Sequence, residues 1–157
     1  MEKTYQPSEW KAIIESLIEN TIKNITQKHQ QNKNKPWYQP NPPLLHELAP
    51  IYIEEKYWDR LLALLQKENS LDTVLQYHQH LVKIYPAELS LIYFLLLEIS
   101  GDKASSRSEY AHLVTKMKMM IKDLPGSKSK IVAIAQSLKT KYPRRPAMID
   151  EFNKILK

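Results

Sequence analysis

A chain of 157 residues, 43% of them apolar, is long enough to bury a core of ordinary size, which excludes disorder throughout. Two Gly, and ten Pro gathered in a few places, leave too few close-spaced turns for an all-β fold; the lack of Cys excludes disulfide frameworks and thiolate metal chemistry. The net charge of +6 is compatible with an acidic partner such as nucleic acid, although solvated helix faces account for such a balance more often.

The first periodic stripe is Trp10, Ile13, Ile14, Leu17, Ile18, Ile22 and Ile25, whose 3-4 spacing lines one side of a helix, with Ser8 as its expected N-cap. The stripe dissolves in the polar run Lys28–Lys35, and Pro36, Pro40, Pro42 and Pro43 then forbid helix, because each removes an amide donor and drives its predecessor towards extended backbone. Residues 32–43 therefore read as a Pro-rich linker, with Trp37 and Tyr38 expected to fold back onto an apolar surface.

Beyond the linker the period stays helical. Leu44 to Glu55 and Tyr57 to Leu65 give two stripes, and Pro50 is tolerable in an early turn of the first. Leu71 to Val82 gives a third helix stopped at Tyr85-Pro86, and Leu89 to Ile99 a fourth stopped at Ser100-Gly101-Asp102. Tyr110 to Leu124 forms a fifth, ended by Pro125-Gly126; Ile131 to Leu138 a sixth, ended by Tyr142-Pro143; and the last starts with Pro146 at N1. Short helices on short connections stack as antiparallel hairpins. The expected fold is all-α, a TPR-like α-solenoid or irregular bundle of about seven to eight helices. Its organisation is an N-terminal amphipathic helix at 1–31, the linker at 32–43 and a helical-hairpin repeat domain at 44–157.

The chain echoes itself at an offset of 57 residues: Val74, Leu75, Leu81, Leu91, Ile92, Leu95 and Ile99 surround Tyr85-Pro86 as Ile131, Val132, Leu138, Met148, Ile149, Phe152 and Leu156 surround Tyr142-Pro143. Each pair is apolar, so one kind of corner is expected twice. The segment Glu47–Leu65 looks like a tetratricopeptide-style hairpin, without a clear small-residue pair at the close helix crossing.

Three further runs carry a family resemblance: Leu81-Val82-Lys83-Ile84-Tyr85-Pro86, then Ser106-Arg107-Ser108-Glu109-Tyr110 with Val114, Lys118 and Met119, and Leu138 to Phe152 with its Tyr-Pro-Arg-Arg-Pro-Ala core. With these, residues 45–157 resemble the C-terminal helical region of bacterial SWIM zinc-finger family proteins. The resemblance implies a C-terminal piece of such a protein, or a relative that lacks the finger, with a role in protein or nucleic-acid interaction. The family's C-x-C…C-x-H ligand set has no counterpart in a chain without Cys, so zinc binding does not carry over.

Searching for chemistry yields little. His78 and His80 are two apart and diverge on a helix, and His46-Glu47 lacks the second His of a metalloprotease helix, so His29, His46, His78, His80 and His112 read as surface or half-buried groups. No Gly-rich phosphate cradle occurs, and the adjacent acids Glu54-Glu55 and Asp150-Glu151 point about 100° apart on a helix. No catalytic residue, metal or cofactor is expected. Met117 and Met120 read as core, Met119 as peripheral.

The basic cluster Lys139, Lys141, Arg144 and Arg145 is the best candidate binding surface, set against the alternative of helix C-terminal charge compensation and intramolecular pairing with Asp150 or Glu151. The amino end, Met1 to Pro7, has no apolar signal core, and Leu91 to Leu97 is too short to span a bilayer, so a cytoplasmic chain without membrane contact is expected. The expected function is a non-enzymatic interaction or scaffold module for a protein partner. The alternative is a nucleic-acid-binding accessory domain, and under either reading the apolar stripe of the N-terminal helix is expected to be buried by docking on the same chain or by forming a homodimer.

Overall fold

A computed structural model describes residues 6–38 and 42–156. Among these, nine α-helices and one 3-10 turn occur and no strand. The fold is all-helical, as the periodicity requires. The chain divides into two compact units between Leu64 and Leu65.

In the first unit α1 spans Pro7–Gln31, α2 Leu45–Glu54 and α3 Trp58–Leu65. Pro7 occupies the first turn of α1 and Gln6 precedes it in extended conformation, so Ser8 lies inside the helix instead of capping it: a Pro at N1 needs no partner for its missing N–H. The polar residues to Gln31 continue the helix past the last apolar position. Within the linker, Gln39, Pro40 and Asn41 lie outside the described residues. Tyr38 stacks on His29 with ring centroids 4.4 Å apart, while Trp37 is 63% exposed and does not fold back as expected.

α1 packs on α2, burying Ile14 and Ile18 with Leu45, Leu48, Ala49 and Tyr52 buried on α2. Two polar contacts fix α1: Trp10 Nε1 donates to both Glu55 carboxylate oxygens at 3.1 Å, and Arg60 Nη2 on α3 pairs with Glu15 at 2.7 Å. Pro50 sits within α2, and both Pro50 and His46, one turn back, are exposed, so the missing bond falls where water can replace it.

The turn from α2 to α3 is a Schellman motif. The Lys56 N–H reaches the Ile53 carbonyl at 3.2 Å, the Tyr57 N–H reaches the Tyr52 carbonyl at 2.8 Å, and Lys56 has φ 59°. The Tyr57 and Tyr52 rings supply the accompanying apolar contact, 6.4 Å between centroids. A lysine pays a left-handed penalty that glycine avoids, so Lys56→Gly is expected to raise stability by about 1 kcal/mol, read as a higher urea midpoint at constant slope.

In the second unit the third stripe breaks into α4, Leu71–Leu75, and α5, His78–Leu81, which takes the helix count above the expected seven to eight. Helix α6 spans Pro86–Lys103, α7 Arg107–Asp123, α8 Lys128–Lys141 and α9 Pro146–Leu156, with the 3-10 turn Pro125–Ser127 leading into α8. Helix α9 packs on both α7 and α8, and α6 packs on α8, α7, α4 and α5. Tyr93, Leu96, Leu97, Met117, Met120, Ile131, Ala135 and Phe152 form the buried centre.

Helix α6 does not stop at Gly101. That glycine is buried within the helix, and a Cβ added there would stand 2.4 Å from Leu138 Cδ1, so its bare Cα admits the close crossing with α8. Ser106 caps α7 by accepting from the Glu109 N–H at 3.2 Å, and the Glu109 carboxylate accepts from the Ser105 N–H at 2.7 Å, a capping box displaced by one residue.

The residues ahead of Pro86, Pro125 and Pro143 share one backbone conformation: Tyr85 at φ −128°, ψ 58°, Leu124 at −130°, 72°, and Tyr142 at −123°, 64°. Each N–H closes the preceding helix by bonding four residues back, at 2.7–3.0 Å. Before the two Tyr-Pro corners the 57-residue echo holds in burial, Val74 with Ile131 and Leu81 with Leu138. After them it fails, because Leu91 and Leu95 are exposed where Met148 and Phe152 are buried. There the burial matches at an offset of 59: Leu89 with Met148, Ile92 with Glu151, Tyr93 with Phe152, Leu96 with Ile155. After the second corner the buried positions thus come two residues later, and a two-residue slip turns a helix by about 200°.

Candidate functional site

The basic corner is assembled where the carboxyl end of α8 meets that of α6, but most of its charge is spent within the unit. Arg145 lays its guanidinium 3.7 Å from the centre of the Tyr142 ring and donates to the carbonyls of Gly101, Asp102 and Ala104 at 3.3, 3.4 and 3.2 Å. Those carbonyls belong to the last turn of α6 and its C-cap, where helical partners run out. Lys141 pairs with Asp102 at 2.9 Å, and Tyr142 donates its hydroxyl to the same carboxylate at 2.6 Å. The Tyr142 hydroxyl and Lys141 together hold the Asp102 carboxyl below its ordinary pKa. Lys139 donates to Asn153 at 2.5 Å. Arg144 alone of the four is exposed with no partner among the described residues.

Asp150 and Glu151 take a different cation from the one expected. Arg107, at the start of α7, reaches Asp150 at 2.7 Å and Glu151 at 3.1 Å, and Lys154 reaches Glu151 at 2.8 Å. Glu151 is buried, not solvated, and the Lys154 and Arg107 contacts hold its carboxyl below the usual value. The bridge ties α7 to α9.

His78 also departs from the expectation of a surface or half-buried group: it is 3% exposed. Its Nδ1 lies 2.6 Å from the Tyr93 hydroxyl and its Nε2 2.8 Å from Asp123 Oδ2, joining α5, α6 and the end of α7. Burial raises the pKa of the Tyr93 phenol and the Asp123 charge adds to the effect, so Tyr93 is held as a neutral hydroxyl. The ring N–H at Nε2 donates to the carboxylate, and Nδ1 and the Tyr93 hydroxyl share the other bond. Tyr-His-Asp is a chemically suggestive set, yet the hydroxyl is wholly buried. The network orders the core.

An open cleft of about 470 Å³ lies between the loop before α4, the end of α6 and one face of α7. Its ionic lining is nearly balanced: Asp72 is ion-paired with Lys116, Glu109 is engaged by the Ser105 N–H, and Lys103 and His112 complete it. Among the described residues no group of three or more His, Cys, Asp or Glu comes together to hold a metal ion.

The surface feature with the clearest pattern is on α6, whose middle, Leu91–Leu97, is an unbroken apolar run. Leu89, Ile92, Tyr93, Leu96 and Leu97 are buried, whereas Leu91 and Leu95 are 66% and 59% exposed. Glu88, Leu91, Leu95 and Glu98 follow 3-4-3 spacing and form one outward stripe, two leucines between two exposed carboxylates. Neither Glu88 nor Glu98 has an ion pair among the described residues. The signal was present in the sequence as an unbroken apolar run in which no side could be assigned to the core.

No family model, curated protein or solved structure matches the chain. No described helix is long and apolar enough to cross a membrane.

Proposed function

We propose that the chain is a non-enzymatic helical interaction module, working in the cytoplasm as the C-terminal part of a larger SWIM zinc-finger-like protein, and that it binds a protein partner through the outer stripe of α6. The carrying observation is the exposed Leu91–Leu95 pair bracketed by Glu88 and Glu98 on a helix otherwise packed in the core. The chemistry that fits is a partner helix with apolar residues one turn apart and Lys or Arg on either side. Covering two leucines supplies the affinity, and the carboxylates select against acidic partners. Tyr142 and Arg145, within the run by which the chain resembles the SWIM-type region, hold the α6–α8 corner together, which favours a scaffold role for that run over a ligand role.

The test is fluorescence anisotropy with a labelled peptide of about 18 residues that places Leu at helical spacing and Lys around it, beside a Glu-for-Lys counterpart. The Lys peptide is expected to bind, and Leu91→Ser with Leu95→Ser to weaken it at least about tenfold without moving the thermal melt. Equal affinity for wild type and variant, or for both peptides, would sink the reading. The nucleic-acid alternative rests on Arg144, and it would gain if a labelled single strand bound at low salt and Arg144→Ala reduced that binding.

A further inference from the structure

The net charge is not spread along the chain. Residues 1–64 balance at eight Lys or Arg against eight Asp or Glu, so the whole excess of +6 belongs to residues 65–157, where 15 stand against nine. Residues 110–149 hold nine of these cations and a single acid, Asp123, which is committed to His78 at 2.8 Å. Folding uses the cations at one end of α8, where Lys139, Lys141 and Arg145 have the partners described above. At the other end α7 turns through Pro125–Ser127 into α8. There Lys118, Lys122, Lys128 and Lys130 are exposed, with no side-chain partner among the described residues.

Lys118 and Lys122 lie one turn apart on the same side of α7, and at 1.5 Å per residue none of the four is more than about 8 Å along its helix axis from the turn. Lys128 and Lys130 leave α8 on opposite sides, so the patch wraps the end of the hairpin. Both stand in the first turn of that helix, which has no acid and no capping side chain, although cations are disfavoured at a helix amino end. Folding leaves this charge uncompensated.

The surroundings of the lysines select the ligand. Residues 111–141 contain no Phe, Trp or Tyr, and none of the exposed large apolar side chains lies among them. Hence no ring is offered to stack an unpaired base, no apolar side chain to enter a bilayer and no aromatic anchor to a protein partner. Lys is a point charge without the fork by which Arg grips one carboxylate or phosphate, so the patch suits a row of anions. A duplex supplies such a row, one charge per about 1.7 Å of axis, and neutralising phosphates is by itself enough for non-specific binding. Stable adhesion to a membrane needs a second signal, which this patch lacks.

We propose that the α7–α8 turn is a sequence-independent contact for the phosphate backbone of duplex nucleic acid, made by Lys118, Lys122, Lys128 and Lys130. It lies the length of α8, about 20 Å, from the corner that holds Arg144, and it does not depend on the α6 stripe.

Fluorescence anisotropy of the full chain with a labelled DNA duplex of about 24 base pairs and mixed sequence, between about 50 and 200 mM salt, tests it. Binding is expected near 10 μM at the low-salt end, falling roughly 100-fold across the series as about four phosphates are neutralised. Lys118→Gln, Lys122→Gln, Lys128→Gln and Lys130→Gln together are expected to weaken it at least about tenfold and to flatten the salt dependence, with an unchanged circular-dichroism melt. The same four changes to Arg are expected to retain it, and a thymidine oligomer of equal length to bind more weakly than the duplex. The proposal is overturned by a duplex left unbound at about 100 μM chain and low salt, or by a quadruple Gln variant that binds like the wild type. It is equally overturned by a greater loss from Arg144→Ala than from the four changes, or by tighter binding to the single strand or to anionic-lipid vesicles than to the duplex.

Discussion

His78→Ala is expected to lower the stability of the 65–157 unit by about 3 kcal/mol, more than any change to an exposed residue. The ring fills space at 3% exposure and supplies the partner of a hydroxyl that water does not reach. Truncation leaves a cavity beside Tyr93 and strands its O–H, and it removes the bond that Asp123 accepts at 2.8 Å. Tyr93→Phe is expected to cost about 1–2 kcal/mol, because it leaves Nδ1 unpaired while keeping the shape of the ring. The double variant is expected to cost less than the two singles together, since the second truncation removes a group the first has already orphaned. Urea unfolding of the four proteins checks this, and a loss below about 1 kcal/mol for His78→Ala would show that the contacts are not sustained in solution.

Arg145→Ala is expected to cost about 2–3 kcal/mol, and Arg145→Lys to recover less than half. One planar guanidinium stacks on Tyr142 and forks across three carbonyls at the end of α6, a geometry a single ammonium cannot reproduce. Favourable charge at a helix carboxyl terminus adds to the direct bonds. Thermal unfolding with a circular-dichroism readout measures the loss. Unchanged melting in Arg145→Ala would return this side chain to the pool of cations available to a ligand. The same arrangement decides how the nucleic-acid alternative is probed. A change at both arginines of the corner would confound lost structure with lost contact, whereas Arg144, exposed and unpartnered among the described residues, isolates the contact.

Much of the fold was legible because apolar stripes and prolines are local signals. The period of 3.6 marked α1, α7, α8 and α9, and Tyr142-Pro143 marked the end of α8 to within a residue, whereas Tyr85-Pro86 marks the start of α6 and the helix before it ends at Leu81. Met117 and Met120 fall in the core and Met119 at its margin, as the stripe required. What the stripe could not show was which side of α6 faces out, since the unbroken apolar run Leu91–Leu97 marks no side until its neighbours are in place. Nor could it show the break between α4 and α5, where Leu71 to Val82 keeps its period through a turn at Gln76 and Tyr77. For the basic corner the sequence located the residues but not their use. Arg145 is recruited by carbonyls some forty residues earlier, and Arg107 takes the two acids that stand near the corner in sequence. Long-range pairing of this kind leaves no trace in local spacing.

The bare Cα at Gly101 sets more than a distance. Because only that side of α6 tolerates α8 so closely, it fixes the azimuth of the whole helix, and Leu91, ten positions upstream, is thereby turned to solvent. A single residue inserted between Glu98 and Gly101 would swing the Glu88–Glu98 ribbon by about 100° relative to the crossing, burying carboxylates or unseating α8. The length of α6 between these two points is thus as constrained as any side chain along it.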